Sequence, residues 1–327
     1  MIRFGVLGAA RITPRALIFP CVDEPGAYIR AIAARDRGRA EKVAAWARIP
    51  DVADDYQAVV DNPKCDAIYI PLPITHHHEW TLKALAAGKH VLCEKSFAAN
   101  AREAQEMATL AAEKGLVLMD AFHYRYHPVF QRAKEILDSG VLGKLREIEG
   151  AFTVPVRMDT DNIRMRYELG GGVTMDIGCY PISWVRHLLD EEPEEIEAEA
   201  EVGPPDIDLK LTARMSFASG VVATAIGDMT GAAPMTMAFE VRGEGGTLKV
   251  TNPLVPQTGH SIELTVDGQT TIETRDRRPT YGYQLDAFIG AVEHGAPLYT
   301  DAEDAVGQMR TIDRCYAAAG MRPRGEA

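Results

Sequence analysis

The first 120 or so residues alternate short apolar strands with amphipathic helices, and this alternation limits the fold more than any other feature of the chain. Ile2–Leu7, Tyr28–Ala34, Ala67–Ile70, His90–Cys93 and Leu116–Asp120 read as strands. Arg37–Ala47, His78–Ala87 and Arg102–Lys114 read as the helices between them. Parallel neighbours cannot be joined by a tight turn and need crossovers, which helices supply, so the pattern predicts a parallel, doubly wound sheet. After about residue 145 the pattern changes. Apart from a helix over Asp176–Leu189, strand-like runs follow at Lys210–Phe217, Val221–Asp228, Thr236–Arg242, Gly246–Val250 and Ser261–Val266. Glycine turns at Ala218–Gly220, Gly243–Gly246 and Asp267–Gln269 join them, which predicts antiparallel pairing. Helices over Tyr283–Glu293 and Ala302–Ala318 follow, and they are free to pack back on the first domain.

A chain of 327 residues can bury two cores. Its 47 acidic against 35 basic residues give a net charge of −12, which argues against a nucleic-acid partner. Part of that acidity is local: Asp190–Glu201, DEEPEEIEAEAE, reads as a solvated edge and not as a metal site. The five cysteines are widely spaced and form no CxxC, which fits reduced thiols and no zinc. The start, MIRFGVLGAARI, has no signal-peptide pattern and no apolar run reaches membrane-spanning length, so the expected location is the cytoplasm.

Two stretches carry chemistry. After the first strand comes Gly8-Ala9-Ala10-Arg11-Ile12-Thr13, a variant of the dinucleotide fingerprint with Ala10 at its second glycine and Thr13 at its third small position. The second strand ends Ala34-Arg35-Asp36. A carboxylate at such a strand end reads the ribose hydroxyls of NAD, whereas an arginine meets a 2′-phosphate with charge-assisted bonds. With Ala34 at the strand end and Arg35 and Arg39 following, NADP is favoured; Asp36 as the ribose carboxylate keeps NAD open. The other stretch is AAGKHVLCEKSF, where Glu94 and Lys95 sit together as the strand His90–Cys93 stops. Ligands bind at the carboxyl ends of strands in open α/β sheets, which makes the pair a candidate acid/base site.

Five stretches, in order, resemble the glucose–fructose oxidoreductase / inositol dehydrogenase (Gfo/Idh/MocA) family across nearly the whole chain: GVLGAARIT at Gly5, AIYIPLPITHHHEWTLKALAAGKHVLCEKS at Ala67, DAFHYRYHP at Asp120, LGGGVTMDIGCYP at Leu169 and FEVRGEGGTLKV at Phe239. The resemblance implies an α/β fold: an N-terminal Rossmann domain over residues 1–122, then a substrate-binding and oligomerisation α+β domain over 123–327 with a large, mostly antiparallel, open-faced sheet. It implies a homodimer or homotetramer through that sheet. It also makes Lys95 the catalytic lysine of the family's EKP motif, with Ser96 in place of the proline that often follows a cis peptide there.

In the same terms Asp176 and Tyr180 form the second catalytic element, four residues apart at a helix start and so one turn apart on one face. Tyrosine at the second position is similar to the glucose–fructose oxidoreductase, dihydrodiol dehydrogenase and xylose dehydrogenase branch. Oxidising a secondary alcohol requires a base for the hydroxyl proton as hydride leaves carbon, and a nearby ammonium such as Lys95 would lower a tyrosine's proton affinity. The family pattern also places Leu72, Pro73, His77 and Glu94 at the cofactor, and His123, Phe152, Arg164 and Tyr281 in the substrate pocket. Arg125 reads as structural or cofactor-proximal, and Trp46, Trp80 and Trp184 as packing. Adjacent His76, His77 and His78 point in different directions and are not a metal site. The implied activity is NAD(P)-dependent hydride transfer to or from a sugar or related cyclic diol. Sugar–sugar transfer on a tightly held cofactor, or NAD-dependent glycoside cleavage, stands as the alternative.

Overall fold

The computed structural model describes residues 1–157, 162–203 and 205–325. Its packing divides into two units, Met1–His123 with Tyr281–Val306, and Tyr124–Thr280 with Gly307–Ala327.

The first unit is built on six parallel strands: β1 (Ile2–Leu7), β2 (Ala27–Ala33), β3 (Asp51–Val52), β4 (Ala67–Ile70), β5 (His90–Cys93) and β6 (Leu118–Asp120). Their order is β3-β2-β1-β4-β5-β6, so the winding reverses between β1 and β4. Helices cover both faces of such a sheet, which is why β4 is buried at all four positions and shows no alternation. The helices are punctuated by their caps. Asp36 accepts from the Arg39 N–H to start Arg37–Ala47, and Asn100 accepts from the Glu103 N–H to start Ala101–Lys114. Gly115, at φ 62°, ends the latter.

The second unit holds eight strands: β7 (Leu145–Thr153), β8 (Glu195–Gly203), β9 (Ile207–Ser216), β10 (Val222–Asp228), β11 (Thr236–Gly243), β12 (Gly246–Thr251), β13 (Ser261–Val266) and β14 (Gln269–Glu273). They run in the order β14-β13-β12-β11-β7-β10-β9-β8. Every pair is antiparallel except β7 with β10. Ile148, Ala213, Ala223, Ala225, Phe239 and Val241 are buried, and Trp184 of the helix Cys179–Leu189 packs on Phe239 at 5.8 Å. Between them lie charged residues, where Arg242 donates to Glu147 and Glu240 at 2.8 Å each. The α/β class and the large antiparallel sheet are as the sequence predicts.

Several elements differ from the sequence reading. The acidic run from Glu195 on forms the edge strand β8: Glu195, Glu197, Glu199 and Glu201 are exposed and alternate with Ile196, Ala198 and Ala200. Alanine and glutamate are weak strand formers, which hides the period, and the charges guard an open edge. β3, β14 and the helix Pro128–Asp138 are additional elements. The segment around Asp176 opens as a π-helical turn, Thr174–Gly178, before the α-helix begins at Cys179. Trp46 does not pack in a core; it is 56 % exposed and meets Phe19 edge-on. Among the described residues no helix is long and apolar enough to cross a membrane.

Candidate active site

In the first unit the predicted residues gather at the carboxyl ends of β1, β2, β4 and β5. Gly8 follows β1 at φ +115°, a conformation open to glycine, and its N–H donates to the Ala33 carbonyl at 2.7 Å. A Cβ on Gly8 would sit 3.3 Å from Leu72, so the turn leaves a cradle that a side chain would fill. Ala9 is buried, Ala10 and Ile12 are half-buried, and Arg11 is exposed beside them. Arg39 reaches back from its helix and donates to the Ala9 carbonyl at 2.7 Å, tying a cation to the loop. Asp36 accepts from the Arg39 N–H at 3.1 Å as a helix cap, while Arg35 is exposed and Ala34 half-buried. An anion-binding set with its nearest carboxylate engaged in capping fits a 2′-phosphate.

At β4 and β5 the sequence brings a tyrosine under the Glu–Lys pair. Tyr69 is wholly buried and its hydroxyl donates to Glu94 Oε1 at 2.6 Å. Burial pushes the Glu94 carboxyl up, and Tyr69 and Lys95 hold it down against that. Sequence reasoning passed over Tyr69. Its signal is a polar-tipped residue inside the otherwise apolar strand AIYI. The Lys95–Ser96 peptide is cis, and Lys95 is half-buried. His77 is wholly buried, with Nδ1 2.9 Å from the Ser96 carbonyl and Nε2 2.8 Å from the Leu72 carbonyl. Burial pushes its pKa down to about 4, against the pull of those carbonyls. The ring therefore spans the strand-end loop at Leu72 and Pro73 and the segment after Lys95. A further buried carboxyl ends β6 at Asp120, beside Cys93 in register. Burial, with Asp304 and Glu94 nearby, pushes the pKa of the Asp120 carboxyl well up, against Lys95 and the Ala121 backbone, which hold it down. His123 and Tyr281 are brought together, ring centroids 4.1 Å apart.

In the second unit the other predicted residues converge. Arg164 Nε donates to Asp176 Oδ2 at 2.5 Å. Phe152, on β7, lies 5.9 Å from the Tyr180 ring, and Tyr124 lies 6.2 Å from it on another side. Tyr124 is anchored in turn by Ser183 at 2.7 Å and His187 at 2.9 Å. Tyr180 is 6 % exposed. The helix start approaches β10 at backbone distance: a Cβ on Gly227 would lie 2.8 Å from the Gly178 Cα. Arg125 stacks over Phe130 and lies 3.6 Å from Asp190, a packing role.

The comparisons with known proteins agree along the chain. Residues 2–122 match the model of the oxidoreductase family with an NAD-binding Rossmann fold, and residues 130–249 match the GFO/IDH/MocA C-terminal domain. The chain is 34 % identical over 319 residues to D-xylose 1-dehydrogenase (NADP(+)) 2 of Haloferax volcanii, covering 97 % of each protein. It is 31 % identical over 327 residues to the dTDP-3,4-didehydro-2,6-dideoxy-alpha-D-glucose 3-reductase of Streptomyces antibioticus, covering 98 % of each. Among solved structures it superposes with a TM-score of 0.89 on a 3-ketoreductase from Actinomadura kijaniata in complex with NADP and TDP-benzene, at 29 % identity over 95 % of this chain and 96 % of that one.

Proposed function

Because the chain belongs to the Gfo/Idh/MocA oxidoreductase family, we propose that it is an NADP-dependent enzyme that interconverts a hydroxyl and a carbonyl on a sugar or related cyclic diol. The observation that carries the reading is Glu94–Lys95 at the carboxyl end of β5, with Glu94 pinned from beneath by the buried Tyr69. The chain's own groups would hold the cofactor, which when bound would supply the hydride acceptor or donor. Gly8, Ala9, Ala10, Arg11 and Ile12 form the loop for its phosphates, and Arg35 and Arg39 meet the 2′-phosphate. Leu72, Pro73 and His77 form the wall further along.

In this reading Tyr180 takes the hydroxyl proton during oxidation and returns it during reduction. Lys95, as a cation, stabilises the charge that develops on the reacting oxygen. Asp176, held by Arg164, accepts from a substrate hydroxyl, and His123, Phe152, Arg164 and Tyr281 shape the sugar's surroundings. The same reading carries a homodimer or homotetramer joined through the second sheet, acting in the cytoplasm. A relative named as an NADP-linked D-xylose 1-dehydrogenase, aligned over 97 % of its length, supports it.

The test is a panel of aldoses, cyclic polyols and dihydrodiols assayed with NADP and with NAD. The reading expects reduced NADP with at least one sugar or diol, and no turnover anywhere on the panel contradicts it. Reduced nicotinamide formed with no cofactor supplied would instead indicate sugar–sugar transfer on a tightly held cofactor. Release of an aglycone without net reduction would indicate glycoside cleavage.

A further inference from the structure

The segment after the last helix, Met321–Gly325, carries an arginine that is wholly buried. Arg324 has no exposed surface, and neither has the Asp208 side chain it meets at 2.5 Å. Surface arginines at the margin of a fold are ordinarily solvated and segments there loosely held. This one is enclosed. Its guanidinium lies over Tyr316 at 4.4 Å and over Tyr167 at 4.8 Å. Tyr167 closes the contact by donating its hydroxyl to the Pro323 carbonyl at 2.8 Å.

The pair's partners come from the glycine turn before Thr174, from Tyr316 on the last helix and from the Arg322 carbonyl. Arg324 Nε donates to the Gly171 carbonyl at 2.7 Å. Asp208 Oδ2 accepts from the Thr174 N–H at 2.8 Å, and Tyr316 donates to its Oδ1 at 3.2 Å. The Thr174 N–H belongs to the first turn of a helix, which leaves its amides without partners inside the helix. Here the acceptor is supplied from β9 and not from the residues just before the helix. Gly172, at φ +120°, is the point of closest approach: a Cβ there would lie 2.0 Å from Asp208 Oδ1. The glycine run Gly170-Gly171-Gly172 is thus cut to the shape of a buried ion pair. The Gly172 N–H donates to the Arg164 carbonyl at 2.9 Å, so the same turn fixes the backbone of the arginine that holds Asp176.

We propose that Arg324 is a positioning residue for the reaction: through Asp208 and Gly171 it sets where the helix start carrying Asp176 and Tyr180 lies. The proposal rests on the catalytic reading of Asp176 and Tyr180 given above. Arg324 touches neither the substrate nor the reacting atoms. Its effect is geometric, and small displacements of reacting groups are costly: a shift of about 1 Å can cost about 10²-fold in rate.

The experiment compares the wild-type protein with Arg324→Met, Arg324→Lys, Tyr167→Phe and Asp176→Asn. Amide hydrogen exchange is read over residues 170–180 and over residues 1–60, alongside kcat, KM for the sugar and affinity for NADPH. Arg324→Met is expected to raise exchange at 170–180 about tenfold or more, leave 1–60 unchanged, and lower kcat about 10- to 100-fold with NADPH affinity within about twofold. Arg324→Lys, which keeps the charge without the fork, is expected to recover part of the kcat. Should Arg324→Met fail to fold, Tyr167→Phe removes one hydrogen bond of the clasp and is expected to show the same pattern at smaller size. Unchanged exchange at 170–180, or raised exchange with unchanged kcat, overturns the proposal. If Asp176→Asn leaves kcat unchanged, the catalytic reading fails, and the exchange data still decide whether Arg324 holds the turn.

Discussion

Asp36 and Arg35 are neighbours with opposite consequences for the cofactor. The Asp36 carboxylate accepts the Arg39 N–H as a cap, and Arg39 donates onward to the Ala9 carbonyl. The Arg35 side chain is exposed beside Asp36. Arg35→Ala is expected to raise KM for NADP about 10- to 100-fold and leave KM for NAD within about twofold, since a charge-assisted bond contributes about 1.5–3 kcal/mol. Steady-state kinetics with both cofactors checks this, and equal losses for the two would remove the arginine from the 2′-phosphate. The strand end at Ala34 and Arg35 was legible in the sequence because strand ends obey a simple spacing. The capping use of Asp36 was not, because one carboxylate serves a ribose or a helix N-terminus equally well until the backbone is fixed. Tyr69 was illegible for a similar reason: its partner Glu94 lies 25 residues on, brought beneath it only by strand pairing.

At the scale of elements, the start of the helix Cys179–Leu189 lies directly on a strand. Gly178 and Gly227 meet without side chains between them, and the turn before Cys179 is π-helical. Single π turns are uncommon and gather at functional sites. Gly227→Ala must displace backbone, since the nearest atom to its new methyl is the Gly178 Cα at 2.8 Å. The expected result is a loss of about 1–3 kcal/mol in unfolding free energy, read by denaturant titration, with a fall in kcat as the helix start moves. Stability lost with kcat unchanged would separate this contact from the chemistry. Periodicity in sequence finds the helix but not the π turn, because the segment is buried nearly all round and leaves no one-sided pattern that would tell the two repeats apart. It also missed β8, where glutamate and alanine mask a strand whose register with β9 runs from Glu195 to Gly203.

At the scale of the whole molecule, stability is tied to buried groups whose charges are disfavoured. His77, ordinarily 6.5, is pushed down to about 4 by burial, and His127 likewise to about 4. The folded state therefore keeps these rings neutral where the unfolded chain would bind protons. Their contribution is intact above pH 6.5, falls by about 1.4 kcal/mol per pH unit per histidine as pH drops toward 4, and levels off below that. Asp120 acts in the opposite sense: its raised pKa costs stability at neutral pH, a cost relieved on acidification. Unfolding free energy measured against pH is expected to show a shallower slope between 6.5 and 4 for His77→Gln than for the wild type, and an unaltered slope would place the wild-type loss elsewhere. The two kinds of sheet were legible because strand–helix alternation and glycine-turned strands occupy separate stretches of chain. Tyr281–Val306 groups with the first unit, and where along the chain that return begins and ends is set by packing and not by a local pattern.

The central claim is that this is an NADP-linked oxidoreductase whose proton passes through Tyr180. The direct measurement is kcat for Tyr180→Phe with NADP and the best sugar of the panel, alongside NADPH affinity. The account predicts a fall of about 10²-fold or more with cofactor affinity retained, and a kcat within about threefold of wild type would contradict it.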